Sequence, residues 1–244
     1  MKRRTFIKST SLASAALSML PIMDFVTPNV SISYNELIGK GTPDLIGHGY
    51  KLRQEAHEAF LKMTNAALES DIHIEVVSSY RSYAHQNRIW MRKYNQNINN
   101  GLSPEASIQK IIEYSTIPGT SRHHWGTDLD IIDGNVKRPR NVLNPLHFNS
   151  DGRFSKLKSW MDNNANDFGF YLVYTESKNR KGFKYEPWHY SYKPLSKTYL
   201  DNYLKYDLKS IITEERLLGN EYFSDAFIDS YLQQNILDIN PELL

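Results

Sequence analysis

Three short segments concentrate residues whose types and spacing suit metal-assisted hydrolysis. In Ser121-Arg122-His123-His124-Trp125-Gly126-Thr127-Asp128-Leu129-Asp130, a histidine pair precedes two aspartates set two residues apart. Alternation along a strand puts Asp128 and Asp130 on one face, and Gly126 lets the chain bend so that His123 reaches the same pocket. Imidazole and carboxylate are ordinary zinc ligands, although a His-x6-Asp pair on its own is a weak signal. Glu186-Pro187-Trp188-His189-Tyr190 adds a second carboxylate and imidazole. In extended chain Glu186 and His189 fall on opposite faces, so both serve one site only if the backbone bends near Pro187. The third segment, Ser78-Ser79-Tyr80-Arg81-Ser82, follows an apolar strand. A guanidinium at a strand end can face a carboxylate or a developing oxyanion; taken alone, Arg81 reads as a surface arginine. Zinc hydrolysis needs three protein ligands, an open position for water, and a carboxylate base outside the ligand set. His123, Asp130 and His189 supply the ligands and Glu186 the base. The chain has no cysteine, which excludes disulfides, a thiolate nucleophile and Cys-ligated zinc. Any metal must therefore rest on His, Asp or Glu.

The three segments, in this order, resemble the VanY-type D-alanyl-D-alanine carboxypeptidases, zinc peptidases related to the VanX dipeptidase and to peptidoglycan L,D-carboxypeptidases. The family pattern is Ser-x-His-x-x-Gly-x-Ala-x-Asp followed by Glu-x-Trp-His, and the resemblance covers roughly residues 50–192. It implies that His123, Asp130 and His189 hold Zn2+, that Glu186 is the general base and that Arg81 stabilises the transition state. It places Gln86 and Ser121 near the substrate. It also implies a small α+β domain whose central antiparallel sheet carries the zinc site, flanked by helices. The expected substrate is the D-Ala-D-Ala end of peptidoglycan stem peptides. An L,D-carboxypeptidase, a cross-link endopeptidase and a non-catalytic zinc-bearing cell-wall module stay open as alternatives. The chain departs from the pattern at Asp128, where the family has Ala. Two roles fit that departure: a hydrogen bond that orients a ligand histidine, or contact with a cationic part of the substrate.

These residues need elements to position them. Leu52, Ala56, Ala59, Phe60, Met63 and Ala67 recur at helical spacing over 50–68. His73–Ser78 alternates as a strand; residues 83–95 and 104–114 read as helices, the second opened by Pro104. Short strands are expected near 127–132, 170–174 and 185–192, with a helix over 156–166. Short strands and helices without regular alternation give an α+β class. Residues 29–49, rich in Gly and poor in periodic apolar positions, read as a linker; 50–195 as the zinc carboxypeptidase domain; and 196–244 as a helical C-terminal extension whose aromatics pack on the body. His124 reads as a surface or packing residue, and His85 as the one other histidine able to line the cleft.

The first 28 residues read as an address. Met1–Lys8 carries four basic residues, and Ser9–Met23 carries no charge. A basic n-region before a short apolar stretch is a secretory signal, and Arg3-Arg4 gives it a twin-arginine character. Export to the periplasm or cell envelope is the expectation. Twenty-nine Lys and Arg against 27 Asp and Glu give a formal charge of +2, so no nucleic-acid partner is implied. No transmembrane segment is expected beyond an uncleaved leader.

Overall fold

A computed structural model describes residues 32–213 and 217–244; the expected leader, residues 1–28, lies outside the described residues. The fold is α+β. In chain order it has α1 (Tyr34–Leu37), α2 (Gln54–Leu68), β1 (Ile74–Ser78), α3 (Tyr83–Asn99), α4 (Pro104–Ile111), β2 (Asp128–Asp133) and α5 (Ser155–Asn164). There follow β3 (Phe170–Leu172), β4 (His189–Tyr192), α6 (Lys193–Tyr203), α7 (Leu208–Thr213) and α8 (Asp225–Tyr231). The four strands form one antiparallel sheet in the order β1-β2-β4-β3. No helix among the described residues is long and apolar enough to cross a membrane.

Strand alternation divides the central strands into a core face and a site face. Leu129 and Ile131 of β2, with Tyr190 and Tyr192 of β4, join the cluster formed with Ala56, Phe60 and Met63 of α2 and Leu157 and Met161 of α5. The alternate residues, Asp128, Asp130, His189 and Ser191, carry the polar chemistry and are all buried. Register brings them together: Asp130 lies opposite His189, and Asp128 opposite Ser191. Directly opposed residues in an antiparallel pair have neighbouring side chains, so a carboxylate and an imidazole become contiguous from strands about 60 residues apart.

A second apolar cluster unites α1, α3, α4 and the C-terminal helices. Trp90 of α3 is fully buried and its indole N–H donates to the carbonyl of Leu218 at 3.0 Å. The helices start where local chemistry dictates. Ser82 and Ser103 accept from the backbone N–H of His85 and Ala106, which caps α3 and α4, and Pro104 occupies a first-turn position that needs no donor.

Several boundaries differ from the sequence reading. The strand expected over 185–192 begins only at His189, because Glu186–His189 is a turn closed by His189 N–H to Glu186 O at 3.1 Å. Within the expected linker, residues 32–49 are packed: α1 lies among them, Leu37 and Ile38 are buried, and Trp125 donates to the carbonyl of Leu37. A single helical turn is too short to show periodicity, which is why the segment reads as loop. At the other end, α6 runs across the expected boundary at 195/196.

Candidate metal centre

The turn before β2 places His123. Residues Arg122–Trp125 form one 3-10 turn ended by Gly126 at φ 71°, a left-handed conformation that favours glycine. A Cβ at Gly126 would also meet Leu45 Cδ2 at 2.6 Å. The reversal folds His123 over β2, where its ring stands 4.6 Å from that of His189. His123 Nδ1 lies 2.8 Å from the carbonyl of Ser79. A carbonyl only accepts, so Nδ1 carries the proton and Nε2 presents a lone pair. That Nε2 is 3.4 Å from Asp130 Oδ2.

His189 is held between three carboxylates. Its Nε2 lies 3.0 Å from Asp128 Oδ1, while Nδ1 lies 3.1 Å from Glu186 Oε2 and 3.8 Å from Asp130 Oδ1. The turn at Pro187 is the bend the sequence required to bring Glu186 and His189 together. His123, Asp130 and His189 offer ligand atoms that all lie within 4.8 Å of one another.

Arg81 reaches the same place from the loop between β1 and α3. Its Nη2 is 3.7 Å from Asp130 Oδ2, and its Nη1 donates to Gln86 Oε1 at 2.8 Å. Gln86, placed near the substrate by resemblance, is fully buried, and its other end donates to the carbonyl of Thr116. It touches the site through Arg81. Ser121 lines the small pocket beside His123, Glu186 and His189. His85 lines the larger outer cleft.

His124 is not a surface residue. It is fully buried, with Nδ1 2.6 Å from the carbonyl of Arg81 and Nε2 accepting from the N–H of Gly119 at 3.2 Å. It ties the Arg81 segment to the loop that carries His123. Burial lowers its pKa to about 3, so it stays neutral.

Asp128 is buried completely. Besides His189 it accepts from Arg122 Nε at 3.0 Å, Thr127 Oγ1 at 2.6 Å and Ser191 Oγ at 2.9 Å. Of the two roles open to it, the structure carries the histidine contact and leaves no surface for a substrate. Arg122, itself 5% exposed, completes the arrangement by donating to Ser191. No periodicity relates Arg122 to Asp128 across the Gly126 reversal, so the sequence alone does not reveal the pair.

The electrostatics describe a site built round positive charge. Burial pushes Asp130 upward, but the imidazoles and Arg81 overcome it and bring its pKa down to about 2. Burial, then the Arg81 charge, lowers His123 to about 4. Burial also opposes charge on His189, yet hydrogen bonds to Asp128 and Glu186 raise it to about 9. Glu186 is raised, mainly by burial. A cation fits here on two further observations. His123 Nε2 and Asp130 Oδ1 are buried without a hydrogen-bond partner among the described residues. The pocket that His123 lines with His189 and Glu186 has a free volume of about 20 Å³, room for one small ion or water. Two imidazoles and one carboxylate match a borderline-soft cation such as zinc.

The family model for VanY, D-alanyl-D-alanine carboxypeptidase, matches residues 49–195, more than half of the chain. The chain belongs to the VanY family. Among curated relatives, the putative carboxypeptidase YodJ of Bacillus subtilis is 29% identical over 182 residues, covering 73% of this chain and 57% of YodJ. The match thus spans little more than half the length of that relative. Among solved structures, VanYB in complex with D-alanine-D-alanine superposes with a TM-score of 0.53 at 22% identity, covering 69% of this chain and 91% of that one. A VanY mutant from a VanB-type resistance cassette in complex with Zn(II) gives 0.51 at 21% identity, covering 75% and 90%. These superpositions establish the VanY-type fold. The VanY match stops at residue 195, so α7, α8 and most of α6 are additions to it.

Proposed function

We propose that this VanY-family chain is an exported zinc carboxypeptidase that removes the terminal D-Ala from D-Ala-D-Ala stem peptides of peptidoglycan. The observation that carries the reading is Glu186. A metal-holding module needs His123, Asp130 and His189; it needs neither a free carboxylate 3.1 Å from a ligand imidazole nor a guanidinium beside Asp130. Both are present. The VanYB complex with D-alanine-D-alanine and the VanY complex with Zn(II) support the substrate and the metal.

His123 Nε2, Asp130 and His189 Nδ1 would hold the ion. Bound there, zinc supplies a water acidic enough to ionise near neutral pH and polarises the scissile carbonyl. Glu186, its pKa raised by burial, is placed to accept the proton of an attacking water and to return it to the leaving amine. Arg81 meets the negative charge that grows on the carbonyl oxygen, a contact worth about 3 kcal/mol in the barrier. Gln86 fixes Arg81 in that position. Trp188, 4% exposed and stacked near Tyr114, closes one wall against water. The basic, uncharged-cored leader supports export to the cell envelope.

The test is mass spectrometry of defined pentapeptide and tetrapeptide stems incubated with zinc-loaded protein, with Glu186→Ala alongside. Loss of one alanine from the pentapeptide, absent in the variant, is the expected result. Cleavage of the tetrapeptide alone reassigns the enzyme to L,D bonds. No change to either stem, with zinc bound stoichiometrically, overturns the carboxypeptidase reading.

A further inference from the structure

The C-terminal extension faces α4 across a groove of about 570 Å³ that shares no lining residue with the metal pocket or the outer cleft. One wall is α4, with Ala106, Gln109 and Lys110. The other is Phe227 and Ser230 of α8, continued by Gln234 and Asn235 of a π turn, Leu232–Ile236. The VanY match ends at residue 195, so this second wall lies outside the matched domain. The groove is preformed. A Cβ at Gly182 would lie 1.4 Å from the carbonyl oxygen of Gln234, so only glycine lets the loop at its end rest directly on the π turn. Arg180 donates twice to the carbonyl of Asp238, at 3.0 and 2.8 Å, and Asn235 donates to the carbonyl of Ile112 at 3.3 Å. These bonds fix the loop and α4 against the extension. The volume suits a short peptide, and π turns inside helices occur frequently at functional sites.

Its charge is one-sided. Glu113 is the only carboxylate among the lining residues, and Lys184 pairs with it at 2.8 Å. Lys110 and Lys181 line the groove as well and form no ion pair among the described residues. Asp238, beside Lys181, is committed to Arg180 and to the backbone N–H groups of Lys181 and Gly182. Gln109 and Gln234 each bring an amide that both donates and accepts, which matches the backbone of an extended peptide. The stacked rings of Phe227 and Tyr231, 6.1 Å apart, add an apolar patch. An ammonium is complementary to a carboxylate. An uncharged glycan would meet the amides and leave both lysines without a partner, so the lining favours an acidic peptide.

We propose that this groove is a second binding site, for an acidic peptide segment, with carboxylates on Lys110 and Lys181 and backbone amides on Gln109 and Gln234. Binding here is independent of the carboxypeptidase reading. Under that reading, the groove retains a carboxylate-bearing polymer while the metal centre works on one chain end, which raises the local concentration of the next end.

The experiment is calorimetric titration of the full chain, metal-free and zinc-loaded, with three probes: acetyl-Ala-Glu-Ala-Glu-amide, its Gln counterpart and an uncharged chito-oligosaccharide. The acidic peptide should bind equally well with and without zinc, and the two neutral probes about 10-fold more weakly. The double variant Lys110→Gln, Lys181→Gln should weaken the acidic peptide by about 10-fold, the sum of two exposed charge contacts. Ala106→Trp fills the groove without changing its charge and should abolish binding. Zinc affinity should match wild type in both variants, which shows that they are folded and that the metal centre is untouched. Binding of the acidic peptide only when zinc is present would put it in the metal centre and overturn the proposal. Binding that survives both variants, or no binding at all, overturns it too. A preference for the chito-oligosaccharide that Ala106→Trp removes would make the groove a glycan site and overturn the peptide assignment. Cleavage of stem peptides tests the carboxypeptidase reading separately, so either can fail while the other stands.

Discussion

Nε2 of His189 lies 3.0 Å from a carboxylate oxygen of Asp128, a residue with no exposed surface. The carboxylate holds a proton on Nε2 and leaves Nδ1 to face Asp130 and the metal position. Asp128→Asn removes the charge with little change of shape and should weaken zinc binding by about 10- to 100-fold, as is usual when a carboxylate behind a ligand histidine is lost. Competition with a chromophoric chelator measures this directly. Unchanged affinity would refute the orienting role.

The same aspartate neutralises Arg122. Asp128→Ala, which restores the family's residue, leaves a buried guanidinium without its carboxylate and should cost about 3–5 kcal/mol in urea denaturation. Removing both charges, with Arg122→Met and Asp128→Ala together, should recover most of that loss. Failure to recover would locate the cost in packing, not charge.

How far the site was legible follows from the physics of each residue. A two-residue spacing in a strand is enough to set Asp128 and Asp130 on one face, and the proline between Glu186 and His189 is enough to signal a bend. Both are local. The Arg122–Asp128 pair depends on a left-handed residue at Gly126, which reverses the chain in a way that no period records. The C-terminal aromatics read as packing residues, which is true of their rings. Their hydroxyls bond to loops more than 80 residues away, and nothing in composition marks such a contact.

Stability of the metal-free protein should peak near neutral pH. The folded pKa values of His123 and His124, about 4 and about 3, lie below the ordinary 6.5. Their contribution is full above 6.5 and is lost as pH falls through those values, because the unfolded chain takes protons that the folded one refuses. His189 works the other way. Raised to about 9, its contribution is full below 6.5 and is lost as pH rises through 9. Denaturation midpoints measured from pH 4 to 10 should therefore fall on both sides, and His189→Gln should abolish the alkaline fall while sparing the acid one. An alkaline fall that persists in the variant would assign it elsewhere.

Tyr231 reaches back from α8 to brace the loop before His123. Its hydroxyl accepts from the N–H of Ile117 at 3.1 Å and lies 2.9 Å from Thr120 Oγ1, which in turn donates to the carbonyl of Ile117 at 2.8 Å. The three bonds close a ring, so the phenol proton goes to Thr120. Tyr203 donates to Gly119 in the same loop at 3.2 Å. Tyr231→Phe keeps the ring packing but strands a buried N–H, which costs about 1–3 kcal/mol. Thr120→Val breaks the same ring from the other side. Because both changes disrupt one network, the double variant should lose less than the sum of the two single losses. Ser121 and His123 follow directly, so zinc affinity should fall in step with stability in Tyr231→Phe. Additive losses, or a stability loss with zinc affinity intact, would mean that the extension covers the loop without positioning it.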